Sequence, residues 1–420
     1  MKTANKLSVI LAVKILNAYS EITNTFSAQT TLKSLSSRAE KVHNMRDIQM
    51  VDLKSQYQKI KPEVNERIQS VIDSAAFING PEVKRFQKEL EQYLQVKHVI
   101  PCGNGTDALQ VALMALGLKP GDEVITTTFT FVATAEVIAL LGLKPVLVDV
   151  DYESYLINTD ELEAAVTPQT KAIIPVHLFG QCANMEDINK LADQHDLFVV
   201  EDAAQSIGAS YHFTSGEAHQ SGTIGHFGCT SFFPSKNLGC YGDGGALFTN
   251  DDQLAEKARM VVNHGMKVRY YHDEIGVNSR LDSIQAVVLS AKLKHLNDYG
   301  NARRAAAWQY DQAFSEIETI QTPKRMINSC HVFHQYTMRV TNGERDALQK
   351  HLTEAGVPAM IYYPVPLHQQ KAYRDDRYAD GAFPVAERLA KEVISLPMHT
   401  ELDQEQLTYI TSKVKEFFKS

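Results

Sequence analysis

The sequence predicts an α/β protein: a mainly parallel sheet covered by helices on both faces, followed by a smaller α+β part. Short apolar strands recur between helical segments at residues 124–127, 146–149, 172–178, 198–201 and 246–249, the rhythm of strands joined by helical crossovers. That rhythm stops after Leu281 and gives way to helical periodicity. The 420 residues are 44% hydrophobic and 22% charged, the balance of an ordinary globular protein able to bury a large core in two domains.

Residues 1–45 stand apart. Their apolar run from 7 to 15, interrupted by Ser8 and Lys14, is too short to span a membrane, and the Ser/Thr-rich stretch to Ser37 keeps no period. Lys2 and Lys6 ahead of the run give it a signal-like outline that Lys14 interrupts. The segment is expected to be a disordered extension, with Met45 and Met50 offering later starts. Next, Ile60, Val64, Ile68, Val71 and Ile72 fall three or four residues apart and mark a helix, broken at Asn79-Gly80-Pro81. A second helix carries Val83, Phe86 and Leu90. The strand and helix alternation fills the rest of a large domain expected over 46–295. Beyond Leu281 a long helical stretch with Ile284, Val287, Leu289, Leu293 and Leu296 runs into a polar region at Asn301-Ala302-Arg303-Arg304, and a small domain is expected over 296–420. A strand at 336–340 and helices near 345–355 and 404–418 complete it.

The net charge of -8 offers no general basic surface, so nucleic acid is not an expected partner. No membrane association and no metal site are expected either. Five cysteines, Cys102, Cys182, Cys229, Cys240 and Cys330, form no Cys-x-x-Cys pair, which points to reduced thiols and a cytoplasmic protein.

The chemistry gathers at Lys236. It stands in Ser231-Phe232-Phe233-Pro234-Ser235-Lys236-Asn237-Leu238-Gly239, ahead of Gly242-Asp243-Gly244-Gly245 and downstream of Glu201-Asp202-Ala203-Ala204-Gln205. A lysine held in a tight, partly dry turn can form a Schiff base with an aldehyde cofactor, and a carboxylate at a strand end can keep a pyridinium nitrogen protonated. Together they resemble a pyridoxal-phosphate site. Gly103-Asn104-Gly105-Thr106 runs into a helix whose first N–H groups, with the Thr106 hydroxyl, suit the cofactor phosphate. Alone, that segment reads more readily as a helix cap, and Ala108 at the third glycine position disfavours a dinucleotide fingerprint. Ser231 is a second phosphate candidate, Gln205 is placed for the ring hydroxyl, and Phe131 for stacking on the ring. Lys236 would hold the cofactor and then move a proton between the substrate carbon and the cofactor C4′.

These motifs, with Phe77-Ile78-Asn79-Gly80-Pro81, Pro120-Gly121-Asp122-Glu123 and Gly276-Val277-Asn278-Ser279-Arg280-Leu281-Asp282, resemble the DegT/DnrJ/EryC1/StrS sugar aminotransferases, from about Asp52 to the C-terminus. The resemblance implies the fold-type I, aspartate aminotransferase-like architecture and a homodimer with shared active sites, Asn278 reaching the neighbouring subunit's phosphate. A lysine, where some members carry histidine and act as dehydrases, favours amino transfer. Around Lys236 the chain is most similar to members that transfer an amino group from L-glutamate to C3 of UDP-2-acetamido-2-deoxy-3-keto-glucuronate for bacterial surface polysaccharides. Arg280 is the candidate for the sugar carboxylate, with Tyr362, Tyr363 and His368 as hydrogen-bonding candidates. The bland readings are an Arg280 pair with Asp282 and tyrosines that only pack. Amination of a dTDP- or UDP-linked 3- or 4-keto-6-deoxyhexose and a non-catalytic pyridoxal-phosphate sensor stay open as alternatives.

Overall fold

Two amphipathic helices open the described chain, which in this computed structural model comprises residues 45–419; the expectations for the leading segment fall outside it. α1 (Leu53–Ser74) is capped by the Asp52 carboxylate, which accepts the Ser55 N–H, and it ends where Ala75 turns left-handed. α2 (Pro81–Leu94) has proline in its first turn, where no N–H is needed, and buries Val83, Phe86, Leu90 and Leu94. The break between them holds as expected.

The sheet is then assembled from β1 (His98–Cys102), α3 (Gly105–Ala115), β2 (Glu123–Thr127), α4 (Ala133–Leu140), β3 (Lys144–Val148), the short α5 (Leu162–Ala165), β4 (Thr170–Ile174), α6 (Met185–His195) and β5 (Phe198–Asp202). A small excursion through β6 (Ser210–His212) and β7 (Ala218–Gln220) leads back to β8 (Phe227–Ser231) and β9 (Gly245–Thr249). The seven strands lie in the order β1-β9-β8-β5-β4-β2-β3. All neighbours are parallel except those of β9, which runs antiparallel to both β1 and β8.

Three details depart from the sequence reading. β1 was not expected: Pro101 argues against a strand, but β1 is at the sheet edge, where a missing N–H is tolerated. β8, Phe-Gly-Cys-Thr-Ser, lacks the run of branched apolar residues that marks a buried strand, yet four of its five residues are buried. β4 stops at Ile174 instead of running on to Leu178. There Pro175 has no N–H to donate, and the chain turns tightly over Leu178–Gly180.

Alternate residues feed opposite faces. Ile100 and Leu247 join a core with α3 and α7 (Asp252–Val261), while Val99, Ala246 and Phe248 join one with α2 and residues of α8 (Ser283–Leu293). Between α7 and α8 lies a hairpin, β10 (Met266–Val268) and β11 (Tyr271–His272). The chain continues through α9 (Leu296–Phe314), β12 (Ile320–Gln321), β13 (Ser329–Cys330), β14 (Tyr336–Val340), α10 (Arg345–Glu354), α11 (Pro384–Glu392), β15 (Val393–Leu396) and α12 (Gln404–Phe417). β12, β14 and β15 form an antiparallel sheet with its own core, supplied by α9, α10 and α12. The polar stretch at Asn301 to Arg304 does not break the helix but lies inside α9. Arg303 is buried there because its guanidinium reaches the carbonyls of Phe333, His334 and Met398. Ile48–Ser420 forms one compact unit.

The turn into β8 is crowded enough to test. A Cβ on Gly228 would lie 1.9 Å from the Gly222 carbonyl oxygen, a backbone atom that cannot swing aside. Gly228→Ala should therefore lower unfolding stability by about 3 kcal/mol or more, read as an earlier urea midpoint; an unchanged midpoint would refute the contact.

Candidate active site

Asp202 closes β5 at its carboxyl end and is buried. One carboxylate oxygen accepts the Thr134 hydroxyl at 2.7 Å, the other the Ala204 N–H at 3.2 Å. The preceding Glu201 is fully buried, and a lone carboxylate there would be costly. It accepts the N–H groups of Gly222, Ile224 and Gly225 at 2.9, 2.6 and 2.6 Å. His177 supplies a fourth bond: its Nδ1 accepts the Ala183 N–H (3.1 Å), so Nε2 carries the proton donated to Glu201 (2.8 Å). The His177 backbone N–H in turn donates to the Asp202 carbonyl at 3.0 Å.

Across the sheet, α3 presents its N-terminus. The Asn104 side chain caps it by accepting the Asp107 N–H at 2.8 Å. Among the described residues, the N–H groups of Gly105 and Thr106 and the Thr106 hydroxyl have no hydrogen-bond partner. Close packing brings Ser231 to this end, since a Cβ on Gly105 would meet the Ser231 Cβ at 2.7 Å. Ser279 fixes the approach to the helix: its hydroxyl accepts the Gly103 N–H (2.8 Å) and donates to Asp107 (2.6 Å). Free N–H groups, two hydroxyls and the positive helix end together suit a phosphate.

Lys236 follows β8 in a turn closed by its own N–H on the Phe233 carbonyl (2.8 Å). Desolvation pulls its ammonium down to about 8 against the opposing charge of Asp202. Phe131 leaves its ring 54% exposed, its centroid 6.4 Å from that of Tyr363. Tyr363 stacks on Phe179 at 6.5 Å, and its hydroxyl accepts from Gln205 Nε2 at 3.1 Å. Phe179 sits in the left-handed region (φ 57) and donates its N–H to Gln205 Oε1 (2.8 Å). Gln205 is thus largely committed to protein, with one amide hydrogen left over.

The structure gathers Lys236, Asp202, Gln205, Phe131 and Tyr363 into one neighbourhood, with Tyr362 packed against Tyr363 at 6.0 Å. Gly105, Thr106 and Ser231 meet at the helix end. Asn278 is exposed, and Arg280 is partly buried. His368 needs correction as a sugar-binding candidate. It is buried, with Nδ1 bonded to the Thr128 hydroxyl (2.9 Å) and Nε2 to Glu387 (3.0 Å), so neither ring nitrogen is left for a ligand. The sequence reading missed Thr134, His177 and Ser279. Thr134 lies in an apolar Ala-Thr-Ala run, and nothing local marks a hydroxyl whose partner lies 68 residues away. Ser279 sits inside a motif already singled out and was overlooked between Asn278 and Arg280.

These residues fit pyridoxal phosphate: a near-neutral amine, a buried carboxylate, an anion-binding helix end and an open aromatic face. Lys292 is the internal control. Burial pulls it to about 8 as well, but its ammonium is tied to the Gly239 carbonyl at 2.7 Å. Incubated with pyridoxal phosphate and reduced with borohydride, the apoprotein should carry the label on Lys236, at a rate rising with pH through a midpoint near 8 as the amine loses its proton. Label mapped to Lys292, or a midpoint in the ordinary lysine range, would contradict the site.

Residues 58–415 match the DegT/DnrJ/EryC1/StrS aminotransferase family. The chain is 47% identical over 363 residues to the UDP-2-acetamido-2-deoxy-3-oxo-D-glucuronate aminotransferase of Pseudomonas aeruginosa, which spans 86% of this chain and 98% of that protein. It is 48% identical over 375 residues to the pleiotropic regulatory protein of Geobacillus stearothermophilus, spanning 89% and 99% of the two chains. DesV of Streptomyces venezuelae, solved in complex with a ketimine intermediate, superposes with a TM-score of 0.85 at 37% identity, over 90% of this chain and 100% of that one. With its Lys236 turn, its β5 carboxylate and its capped α3 assembled on such a scaffold, the chain belongs to the DegT/DnrJ/EryC1/StrS aminotransferase family.

Proposed function

We propose that this protein uses pyridoxal phosphate to transfer an amino group from L-glutamate to C3 of UDP-2-acetamido-2-deoxy-3-keto-glucuronate, in the cytoplasm, toward a bacterial surface polysaccharide such as an O-antigen. The observation that carries the amino-transfer reading is the juxtaposition of a desolvated Lys236 with the Asp202 charge, near the α3 N-terminus whose first N–H groups face no protein acceptor. When bound, the cofactor supplies an electron sink for breaking the C–H bond of the amino donor. Gly105 and Thr106 N–H groups and the Thr106 and Ser231 hydroxyls hold its phosphate. With the cofactor bound, Asp202 would pair with the ring nitrogen, Phe131 would pack on the ring, and Gln205 would offer its remaining amide hydrogen to the ring hydroxyl. Lys236, neutral for an appreciable fraction of the time near pH 8, anchors the cofactor and then carries the proton at the reacting carbon.

Arg280 supports an acidic sugar. Among the described residues it forms no ion pair, with Asp282 or any other acid, and its Nε is buried without a hydrogen-bond partner. A cation kept in that state suits an anionic ligand, and the similar Pseudomonas enzyme is named for a glucuronate. Tyr362 and Tyr363 offer hydroxyls to the sugar. The alternative acceptor, a 6-deoxyhexose, would leave Arg280 without a counter-charge. The name of the Geobacillus relative keeps a regulatory, non-catalytic reading in view; the joint presence of Lys236, Asp202, Gln205 and Ser231 favours turnover.

A homodimer with shared sites completes the reading. Asn278 is exposed and follows, a few residues along the chain, the exposed Tyr270, Tyr271 and Ile275, apolar surface of the kind a second copy would cover.

Two measurements test this. Arg280→Ala should lower kcat/KM on the 3-keto-glucuronate nucleotide roughly tenfold to a hundredfold, the loss of a charge-assisted contact, and leave a 3-keto-6-deoxyhexose nucleotide nearly unaffected. Equal losses on both would make Arg280 structural, and a wild type preferring the deoxy sugar would overturn the acceptor. Separately, Lys236→Ala and Asn278→Ala proteins, each deficient alone, should regain activity when their subunits are exchanged. No recovery despite exchange proven by mass would refute the shared site.

A further inference from the structure

We propose that Thr134 is a positioning residue that holds the Asp202 carboxylate aimed at the cofactor ring, and so supports the pairing of Asp202 with the ring nitrogen. This rests on the reading of Asp202 as the ring-nitrogen partner. Thr134 is fully buried at the start of α4, and its hydroxyl has two acceptors within reach: Asp202 Oδ2 at 2.7 Å and the Phe131 carbonyl at 3.4 Å. A hydroxyl has one proton, and the shorter, charged acceptor takes it. The other oxygen of Asp202 accepts only the longer Ala204 N–H bond at 3.2 Å. Among the described residues, Thr134 is thus the side chain that donates to this carboxylate.

The hydroxyl pins one carboxylate oxygen, so the carboxylate would keep the orientation in which it pairs with a protonated ring nitrogen. Without the hydroxyl the carboxylate is free to rotate out of that pairing, and the ring nitrogen would lose the aligned counter-charge that favours its protonated form. Lys236, Tyr363 and Cys229 are titratable side chains that share an electrostatic interaction with Asp202, and Glu201 adjoins it in the chain. None of these is altered by a change at Thr134. The same residue receives the turn from Phe131, its N–H bonded to the Phe131 carbonyl at 3.4 Å, so one residue joins the loop carrying Phe131 to Asp202.

The test uses holoenzyme carrying pyridoxal phosphate labelled with nitrogen-15 in the ring, with Thr134→Val, Thr134→Ser and Asp202→Asn variants. Thr134→Val should move the ring nitrogen resonance toward the unprotonated position. It should also slow the glutamate half-reaction roughly tenfold to a hundredfold with little change in the glutamate KM, and Thr134→Ser should restore both. If valine disrupts folding, Thr134→Ala removes the hydroxyl without adding bulk and is read the same way. A hydroxyl-free variant with wild-type resonance and rate overturns the proposal, as does a serine variant as impaired as valine, which would assign the effect to packing. Asp202→Asn separates the two layers: if it leaves the resonance unchanged, the pairing of Asp202 with the ring is what fails; if it moves the resonance while Thr134→Val does not, only the role of Thr134 falls.

Discussion

The buried Glu201 carboxylate is the constraint on which the site depends. A charge at zero exposure is tolerated only when hydrogen bonds replace its water, and Glu201 has four, three from the backbone of the 222–225 turn and one from His177. Those bonds fasten the end of β5 to the turn that feeds β8. β5 ends in Asp202, while β8 ends in Ser231 and delivers Lys236. One satisfied carboxylate therefore fixes Asp202, Ser231 and the Lys236 turn relative to one another, although it bonds none of their side chains. The close backbone crossing of Gly222 over Gly228 belongs to the same junction.

Desolvation alone does not make a lysine reactive, as Lys236 and Lys292 show. Burial lowers both to about 8. Lys292 gives its charge a permanent home, with the Gly239 carbonyl at 2.7 Å and the Tyr241 ring centroid at 4.7 Å. Lys236 has the charge of Asp202 nearby and no carbonyl holding its ammonium among the described residues. What separates a structural lysine from a chemical one here is the set of neighbours.

The C-terminal third closes over the strand ends through a few polar crossings. Tyr363 meets Gln205, His368 spans Thr128 and Glu387, and Asp149 at the end of β3 accepts the Val385 and Ala386 N–H groups that open α11. Each crossing joins a residue far along the chain to a loop after a parallel strand, where such sheets place their ligands. His368 therefore shapes the site by holding the loop that leads to Phe131, without facing the ligand itself.

The sequence by itself determined the class of architecture and the outline of the site. Helical spacing before Asn79-Gly80-Pro81, the recurring apolar strands and the lysine, carboxylate and glycine strings are local signals, each read from neighbouring residues, and the match over 58–415 agrees with the family they suggested. What only tertiary structure decided is where partners lie far apart in the chain. The reversal of β9 depends on which strands flank it. β1 and β8 are strands because of their places in the sheet, against a proline in one and weak propensity in the other. Thr134 bonds Asp202 across 68 residues and His368 bonds Thr128 across 240. A hydrogen bond is decided by geometry within about 3 Å, and residue type and spacing along the chain carry no record of that distance until the sheet has closed.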